Sequence, residues 1–418
     1  MMASRRVICD GMAASTMRSS GGILRGFCIV LIALAVVPAK AQQWVPTWTT
    51  APQAGDRDFK HQTVRMVVRT TVGGDTLRVR ISNAYGANSL TVGSAHIALR
   101  QEGSKIVAGT DRVLQFGGQT SVTIPAGSYA VSDPVSLTVA QLSDLAVSVY
   151  VPGTAAKATT HGTGLKTTYI SGPGDFTGSA DMPAGLTVQS YFWLTDVYVF
   201  TEHPTPVIVA FGDSITDGGW STPDMNRNWP SVLGKLMLSE AGSPRAAVVN
   251  EGIGGNRVLH EIVSTNAMAR FDRDVIEQPG VAAVIVFEGI NDIGAPYGPQ
   301  GMFRDQIITA ADLIGAMRQL IVRSHMRHIK VVGATLTPFI GAVYYAPKGD
   351  KVRKAFNEWI RTSGEFDAVI DFDKVIDDPA NPGHYKAAYD CGDHLHPSDA
   401  GYQAMADAAF AVMRNLVR

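Results

Sequence analysis

Val207-Ile208-Val209-Ala210-Phe211-Gly212-Asp213-Ser214-Ile215-Thr216-Asp217-Gly218 decides how the rest of the chain is read. Five apolar residues in a row, β-branched and aromatic among them, run into a Gly-Asp-Ser turn. That is the pattern of a buried parallel strand ending in a tight bend. Ser214 then sits just past the carboxyl end of a strand, where open α/β sheets gather ligands and catalytic groups. Two roles are open to it there: nucleophile, or cap of the helix that follows.

Downstream of Thr201, short apolar strands alternate with helical stretches. Strands are expected over 207–211, 246–249, 281–287, 330–334 and 369–372, and helices over 229–238, 267–276, 305–324, 351–361 and 398–416. In the third helix Ile307, Ala311, Ile314, Met317 and Ile321 recur at three and four, one face of an amphipathic helix. Five strands each followed by a helix predict an α/β domain over 201–418, a doubly wound, flavodoxin-like parallel sheet. Residues 293–303, rich in glycine and proline, are expected as a loop, either a lid or a rim of the site.

Upstream the pattern has period two. Val64-Arg65-Met66-Val67-Val68-Arg69 and Leu77-Arg78-Val79-Arg80-Ile81 alternate apolar and arginine side chains around Gly73-Gly74-Asp75, a hairpin signal. Arg65, Arg69, Arg78 and Arg80 are accordingly expected on a solvated sheet face. Further short apolar runs, broken by glycine, proline, serine and aspartate, predict an all-β sandwich over 42–200.

The chain has 418 residues, 45% apolar and 17% charged, an ordinary globular composition. Residues 1–41 have the pattern of a secretory signal peptide. Arg18 and Arg25 lead into the apolar run 27–37, and Ala39-Lys40-Ala41 offers a small-residue cleavage point after Ala41. The run is short for a membrane span. Met17 is a second candidate start beside Met1. A secreted or periplasmic protein is expected, with no integral membrane span after cleavage. Loss of five basic residues and one acidic residue leaves 31 basic against 36 acidic side chains, net −5. There is no basic stripe, which argues against nucleic acid as partner. Cys9 and Cys28 leave with the leader, so Cys391 has no internal disulfide partner.

Far downstream stands Asp390-Cys391-Gly392-Asp393-His394-Leu395-His396-Pro397-Ser398. Asp393 and His396 are three apart, so the carboxylate can hold one imidazole nitrogen and leave the other free. An ordinary histidine titrates near ~6.5 and can take and return a proton at neutral pH. With Ser214 this makes a Ser-His-Asp triad. The alternative is that Asp393 and His396 cap the last helix. The loops holding Asn250-Glu251-Gly252-Ile253-Gly254-Gly255-Asn256-Arg257 and Glu288-Gly289-Ile290-Asn291-Asp292 point to the same sheet edge. The N–H groups of Ser214 and Gly255 with the Asn291 amide make a three-donor oxyanion hole, Gly254 being the competitor for Gly255.

His394 and Asp390 beside Asp393 and His396 suggest a metal site, but no third strong ligand loop is visible. Neither a metal nor an organic cofactor is required. Cys391 lacks a cysteine-type motif and reads as a small buried filler. Asp213 and Asp217 read as loop-fixing hydrogen bonders. Trp220, Tyr297, Tyr344 and Tyr345 are candidates for a sugar-stacking or acyl-binding wall, or for packing.

Gly212-Asp213-Ser214, the Gly255 loop, Gly289-x-Asn291-Asp292 and Asp393-x-x-His396 together resemble the four ordered blocks of the SGNH, or GDSL, hydrolases. The resemblance covers roughly 206–418. That family comprises serine esterases, lipases, thioesterases and carbohydrate deacetylases on a flavodoxin-like sheet. The resemblance implies Ser214 as nucleophile, His396 as base, Asp393 as its orienting acid, and Ser214, Gly255 and Asn291 as oxyanion donors. Asn250-x-x-x-x-Gly255 matches the spacing of the family's second block and favours Gly255 over Gly254. No Gly-x-Ser-x-Gly elbow is present, which argues against an ordinary α/β-hydrolase. The expected substrate is an ester, first a short acyl group on a carbohydrate, second a simple lipid or aryl ester. A catalytically inactive carbohydrate-binding protein is the alternative from another class.

Overall fold

The apolar run at 207 forms the central strand of a parallel sheet. In the computed structural model, which describes residues 43–417, strand β1 (Val207–Gly212) is buried along its whole length. It pairs in parallel with β2 (Ala247–Gly252) on one side and β3 (Val281–Phe287) on the other; β4 (Lys330–Ala334) and β5 (Ala368–Ile370) follow outward from β3. The order β2-β1-β3-β4-β5 is that of flavodoxin-like sheets. Register sets Gly212 beside Gly252 and Phe287, so the first three strands end level with one another. The loops that leave them start from one line.

Eight α-helices connect or close these strands: α1 (Ser214–Asp217), α2 (Trp229–Ser239), α3 (Ala267–Phe271), α4 (Ile290–Tyr297), α5 (Ala310–His325), α6 (Pro347–Thr362), α7 (Phe372–Ile376) and α8 (Asp399–Leu416). Helix α8 packs on α2 and α7, while α3 to α6 form a second group. Right-handed crossovers in this strand order put those groups on opposite faces.

Several expected elements shift: the helix expected over 267–276 is α-helical only to Phe271 and continues as a π-helix over Asp272–Ile276, and α6 begins at Pro347 rather than at 351. Helix α5 starts at Ala310 rather than at 305, because Thr309 and Asp312 form a capping box. Asp312 N–H donates to Thr309 Oγ1 at 3.3 Å, and Thr309 N–H to Asp312 Oδ2 at 2.8 Å. Ile307 therefore falls outside the helix and is exposed. The stretch expected as a loop from 293 instead continues α4 as far as Tyr297, with Pro296 inside it.

Upstream lie two large antiparallel sheets and two small two-stranded ones, Thr160–His161 with Tyr191–Phe192 and Leu90–Val92 with Val122–Ile124. One large sheet contains Gln43–Thr49, Leu194–Thr201, Gly74–Ser82, Tyr129–Val131 and Val135–Val139. The other contains Ala184–Val188, Thr168–Pro173, Phe59–Arg69, Asp144–Ala155, Ser94–Leu99 and Arg112–Val113. Val64, Met66 and Val68 from the second and Leu77, Val79 and Ile81 from the first join one apolar core. The described residues, 43–417, belong to one compact unit. The expected leader, 1–41 with Cys9 and Cys28, lies outside the described residues.

The expected wet arginine face is overturned. Arg65 is fully buried: Nε donates to Ser148 Oγ at 2.8 Å, and the other nitrogens reach the carbonyls of Ser104, Thr177 and Ser179 at 2.6 to 3.0 Å. Chain from those segments roofs the sheet where alternation alone would put water. Arg80 is buried in an ion pair with Asp196, which also accepts from Gln278 Nε2 at 2.8 Å in the α/β domain. Arg78 stacks on Trp44 at 4.5 Å, and Arg69, 37% exposed along its side chain, pairs with Asp144 at 3.1 Å.

Candidate active site

The bend after β1 needs a glycine, since a Cβ on Gly212 would collide with Phe287 O and Thr216 Oγ1. Asp213 then caps α1 through Oδ1, which accepts from Ile215 N–H at 2.9 Å. Burial pushes the Asp213 carboxyl up to about 7. With the cap supplied by Asp213, Ser214 occupies the first helical position and its hydroxyl faces outward. Ser214 Oγ lies 2.8 Å from His396 Nε2, and His396 Nδ1 lies 2.7 Å from Asp393 Oδ2.

Asp393 Oδ1 meanwhile accepts the backbone N–H groups of Leu395 and His396 at 2.9 and 2.8 Å. Partial burial opposes ionisation of this carboxyl, but the imidazole and the two N–H donors outweigh it and hold it well below the usual range. A carboxylate at Nδ1 assigns the ring hydrogen to that nitrogen and leaves the Nε2 lone pair toward the serine hydroxyl. Neither Asp393 nor His396 caps the last helix. Ser398 does so, its Oγ accepting from Gly401 N–H at 3.3 Å.

The second and third loops supply donors. Gly254 N–H is spent on Asp217 Oδ2 at 3.1 Å. Gly255, at φ 74°, has no acceptor for its N–H among the described residues, and neither does Ser214. Asn291, in the first turn of α4, donates one amide hydrogen to Asn256 O at 2.9 Å and keeps the other free; its Oδ1 accepts from Tyr344 OH at 3.4 Å. Asp292 Oδ2 and Oδ1 accept from Val258 and Leu259 N–H at 2.7 and 3.1 Å, and burial pushes this carboxyl up to about 6.

Sequence reasoning missed Arg270. This buried residue of α3 donates to Gly212 O, Glu251 O and Asn256 Oδ1 at 2.8 to 2.9 Å and lies 4.0 Å from the centre of the Phe211 ring. One guanidinium thus ties the ends of β1 and β2 to the loop that holds Gly255. Glu288 was also missed; burial raises its carboxyl well above the usual range. His161 was missed as well: its Nε2 lies 3.0 Å from Asp217 Oδ1 and its Nδ1 2.9 Å from Ala51 O.

The metal and thiol alternatives meet occupied groups. Ligand atoms of Asp390, Cys391 and Asp393 come within 4.8 Å of one another, yet both carboxylates are already bonded to imidazoles, Asp390 to His394 Nδ1 at 2.6 Å and Asp393 to His396. Cys391 is half-buried rather than buried, and desolvation pushes its thiol up to about 11. Of the aromatic wall, Trp220 stands out, 68% exposed at φ 67°. The chain on either side of it is tied down: Gly219 O accepts from Tyr402 OH at 2.7 Å, and Thr222 Oγ1 donates to Asp399 at 2.6 Å. Tyr297 donates to Ile308 O, and Tyr345 packs edge-on to Phe339.

A flavodoxin-order sheet carrying a serine, an imidazole and a carboxylate in hydrogen-bonded line at its carboxyl edge defines a hydrolase of the acyl-transfer class. The model of the GDSL-like lipase/acylhydrolase family matches residues 210–404, and this domain makes the protein a carboxylic ester hydrolase. Similar solved structures include a G-D-S-L family protein from Desulfitobacterium hafniense DCB-2, 24% identical over 50% of this chain and 99% of that one, TM-score 0.38. Another is a catalytic mutant of an acetylxylan esterase from Geobacillus stearothermophilus, 20% identical over 49% and 93%, TM-score 0.40. No curated protein matches the chain. No helix among the described residues is long and apolar enough to cross a membrane.

Proposed function

We propose that the chain is a serine esterase of carbohydrate esters, with residues 201–418 as catalytic domain, 42–200 as accessory β domain, and export directed by 1–41. The observation that carries the mechanism is the line from Asp393 through His396 to Ser214, at 2.7 and 2.8 Å. His396 Nε2 takes the hydroxyl proton as Ser214 Oγ attacks the ester carbonyl carbon. The resulting oxyanion is held by the N–H groups of Ser214 and Gly255 and by the free Asn291 hydrogen. Collapse breaks the bond to the alcohol oxygen, which receives the proton from His396. Water, deprotonated by the same nitrogen, then attacks the acyl-enzyme, and the acid leaves with Ser214 restored.

The carbohydrate reading is supported by Trp220, a flat indole held in the open near His396; a Cβ on the preceding Gly219 would sit 3.2 Å from the His396 ring. Such a surface suits the apolar face of a sugar ring. Simple lipid or aryl esters are the second reading, favoured by Val263, 54% exposed and so near Gly255 that a Cβ there would meet it at 2.9 Å.

The test pairs acetyl with octanoyl chromogenic esters, and measures acetate release from acetylated xylan and pectin, for wild type and Ser214→Ala. Release from one polysaccharide, lost in Ser214→Ala, upholds the proposal. Octanoyl turnover without any release moves the assignment to lipid or aryl esters. Silence on every ester, with Ser214 inert to a fluorophosphonate probe, would leave a binding protein.

A further inference from the structure

The strand Thr160–His161 of the β domain carries a buried imidazole to the helical turn that holds the candidate nucleophile. Its two nitrogens are both committed, Nδ1 to the carbonyl oxygen of Ala51 at 2.9 Å and Nε2 to Asp217 Oδ1 at 3.0 Å. A carbonyl oxygen only accepts, so Nδ1 bears a hydrogen. The other oxygen of Asp217, Oδ2, accepts from Gly254 N–H. One more proton lies between Nε2 and Oδ1, and because a carboxylic acid is much the stronger acid of the two, that proton resides on the ring. The residue is an imidazolium donating on both sides, and Asp217 is a carboxylate accepting on both sides.

The surroundings agree with this state. Burial opposes the charge, but the Asp217 carboxylate and the two hydrogen bonds outweigh it and raise the pKa. Tyr191, on the paired strand, has its ring 6.4 Å from the imidazole, and burial raises its phenol well above the usual range; Arg69 and Lys166 line the same small cavity, and the more distant Arg270 opposes the charge. The 161–163 turn also lies beside the glycine loop, since a Cβ on Gly254 would come within 3.7 Å of Thr163 Oγ1.

We propose that His161 is a positioning residue of the hydrolase: it holds Asp217 so that the carboxylate fixes Gly254 N–H, and the neighbouring Gly255 N–H is thereby aimed at the ester oxygen. The inference rests on the assignment of Gly255 as an oxyanion donor. It makes the β domain a structural part of the reaction centre, beyond any part in binding sugar. Deprotonation at Nε2 would turn a lone pair on Asp217 Oδ1 and convert an attraction into a repulsion. Turnover then falls on the alkaline side as the glycine loop loosens.

The test measures kcat and KM against pH on a chromogenic acetyl ester for wild type, His161→Ala and His161→Gln, with melting temperature and fluorophosphonate labelling in parallel. His161→Ala is expected to lower kcat by about ten- to a hundredfold, part of what loss of a whole oxyanion donor does, with KM unchanged because the contact acts in the transition state. His161→Gln, whose amide donates to Asp217 without titrating, recovers part of that loss and shows no alkaline fall in kcat. Wild-type kcat in His161→Ala, with only a lower melting temperature, would overturn the proposal. If His161→Ala does not melt cooperatively, the glutamine variant decides, and an alkaline fall identical to that of wild type sinks the idea. Failure of the underlying site assignment looks different: wild type is then unlabelled by the probe, or Ser214→Ala keeps its turnover.

Discussion

Replacing Asp393 by asparagine should silence the enzyme more completely than replacing it by alanine, although asparagine is the closer match in shape. The carboxylate serves two masters, His396 Nδ1 through Oδ2 and the backbone N–H groups of Leu395 and His396 through Oδ1. Those two N–H donors, at 2.9 and 2.8 Å, repel an amide NH2 and attract an amide oxygen. They therefore turn the asparagine so that its NH2 faces Nδ1. The imidazole must then accept at Nδ1 and carry its hydrogen at Nε2, where it donates to Ser214 instead of taking its proton. The loss expected for a triad locked in the wrong tautomer is about 10⁴ in kcat, or about 5 kcal/mol of transition-state stabilisation. Alanine imposes no tautomer, and the site is 33% exposed along the Asp393 side chain, so water can take the vacated place. Both variants would be assayed at neutral pH on a chromogenic acetyl ester, with melting temperatures to show that the fold is kept. An asparagine variant as active as the alanine variant, or more so, would refute the reasoning.

Other outcomes follow from the same geometry. Asn291→Ala should lower kcat by about a hundredfold or more with little change in KM, because its free amide hydrogen acts on the oxyanion alone; a rise in KM at constant kcat would contradict that role. Arg65→Ala should destabilise the fold by about 3 to 5 kcal/mol in urea unfolding, since it strands the buried carbonyl of Thr177 and the part-buried carbonyls of Ser104 and Ser179; a change within experimental error would mean that water fills the gap. Burial would raise the Asp371 carboxyl, but the bidentate contact from Arg361, with Thr335 and Lys374, brings it down to about 2. Its folded value lies below the ordinary 3.8, so its contribution to stability is present above that pH and is lost as pH falls toward about 2. Melting temperature should therefore drop less steeply across this range in Arg361→Met than in wild type.

Much of the α/β domain was legible because parallel strands buried on both faces leave continuous apolar runs. The expected strands 281–287 and 330–334 coincide with β3 and β4 residue for residue. The start of α5 was misplaced although its signal, Thr309-x-x-Asp312, stands in the sequence; the apolar period ran through the cap and took in Ile307. Alternation around Arg65 and Arg80 told correctly that they point away from the apolar core of the sheets. It carried no information on what covers that other side, and there the chain itself, not water, solvates the guanidinium groups.

The sequence by itself determined the order of elements, the sheet class and the short-range chemistry, because each rests on residues within about a turn of one another: Asp213 as a loop-fixing hydrogen bonder beside Ser214, or Asp393 three residues before His396. What only the tertiary structure decided are the pairings across long stretches of chain. Whether Ser214 Oγ comes within reach of His396, 182 residues away, depends on the level ends of β1, β2 and β3 and on the path into α8. Which of Gly254 and Gly255 keeps a free N–H depends on Asp217, and the state of Asp217 on His161, 56 residues upstream of it. Such contacts are set by how two cores pack, and a protonated imidazole buried between them leaves no local pattern from which it could be read.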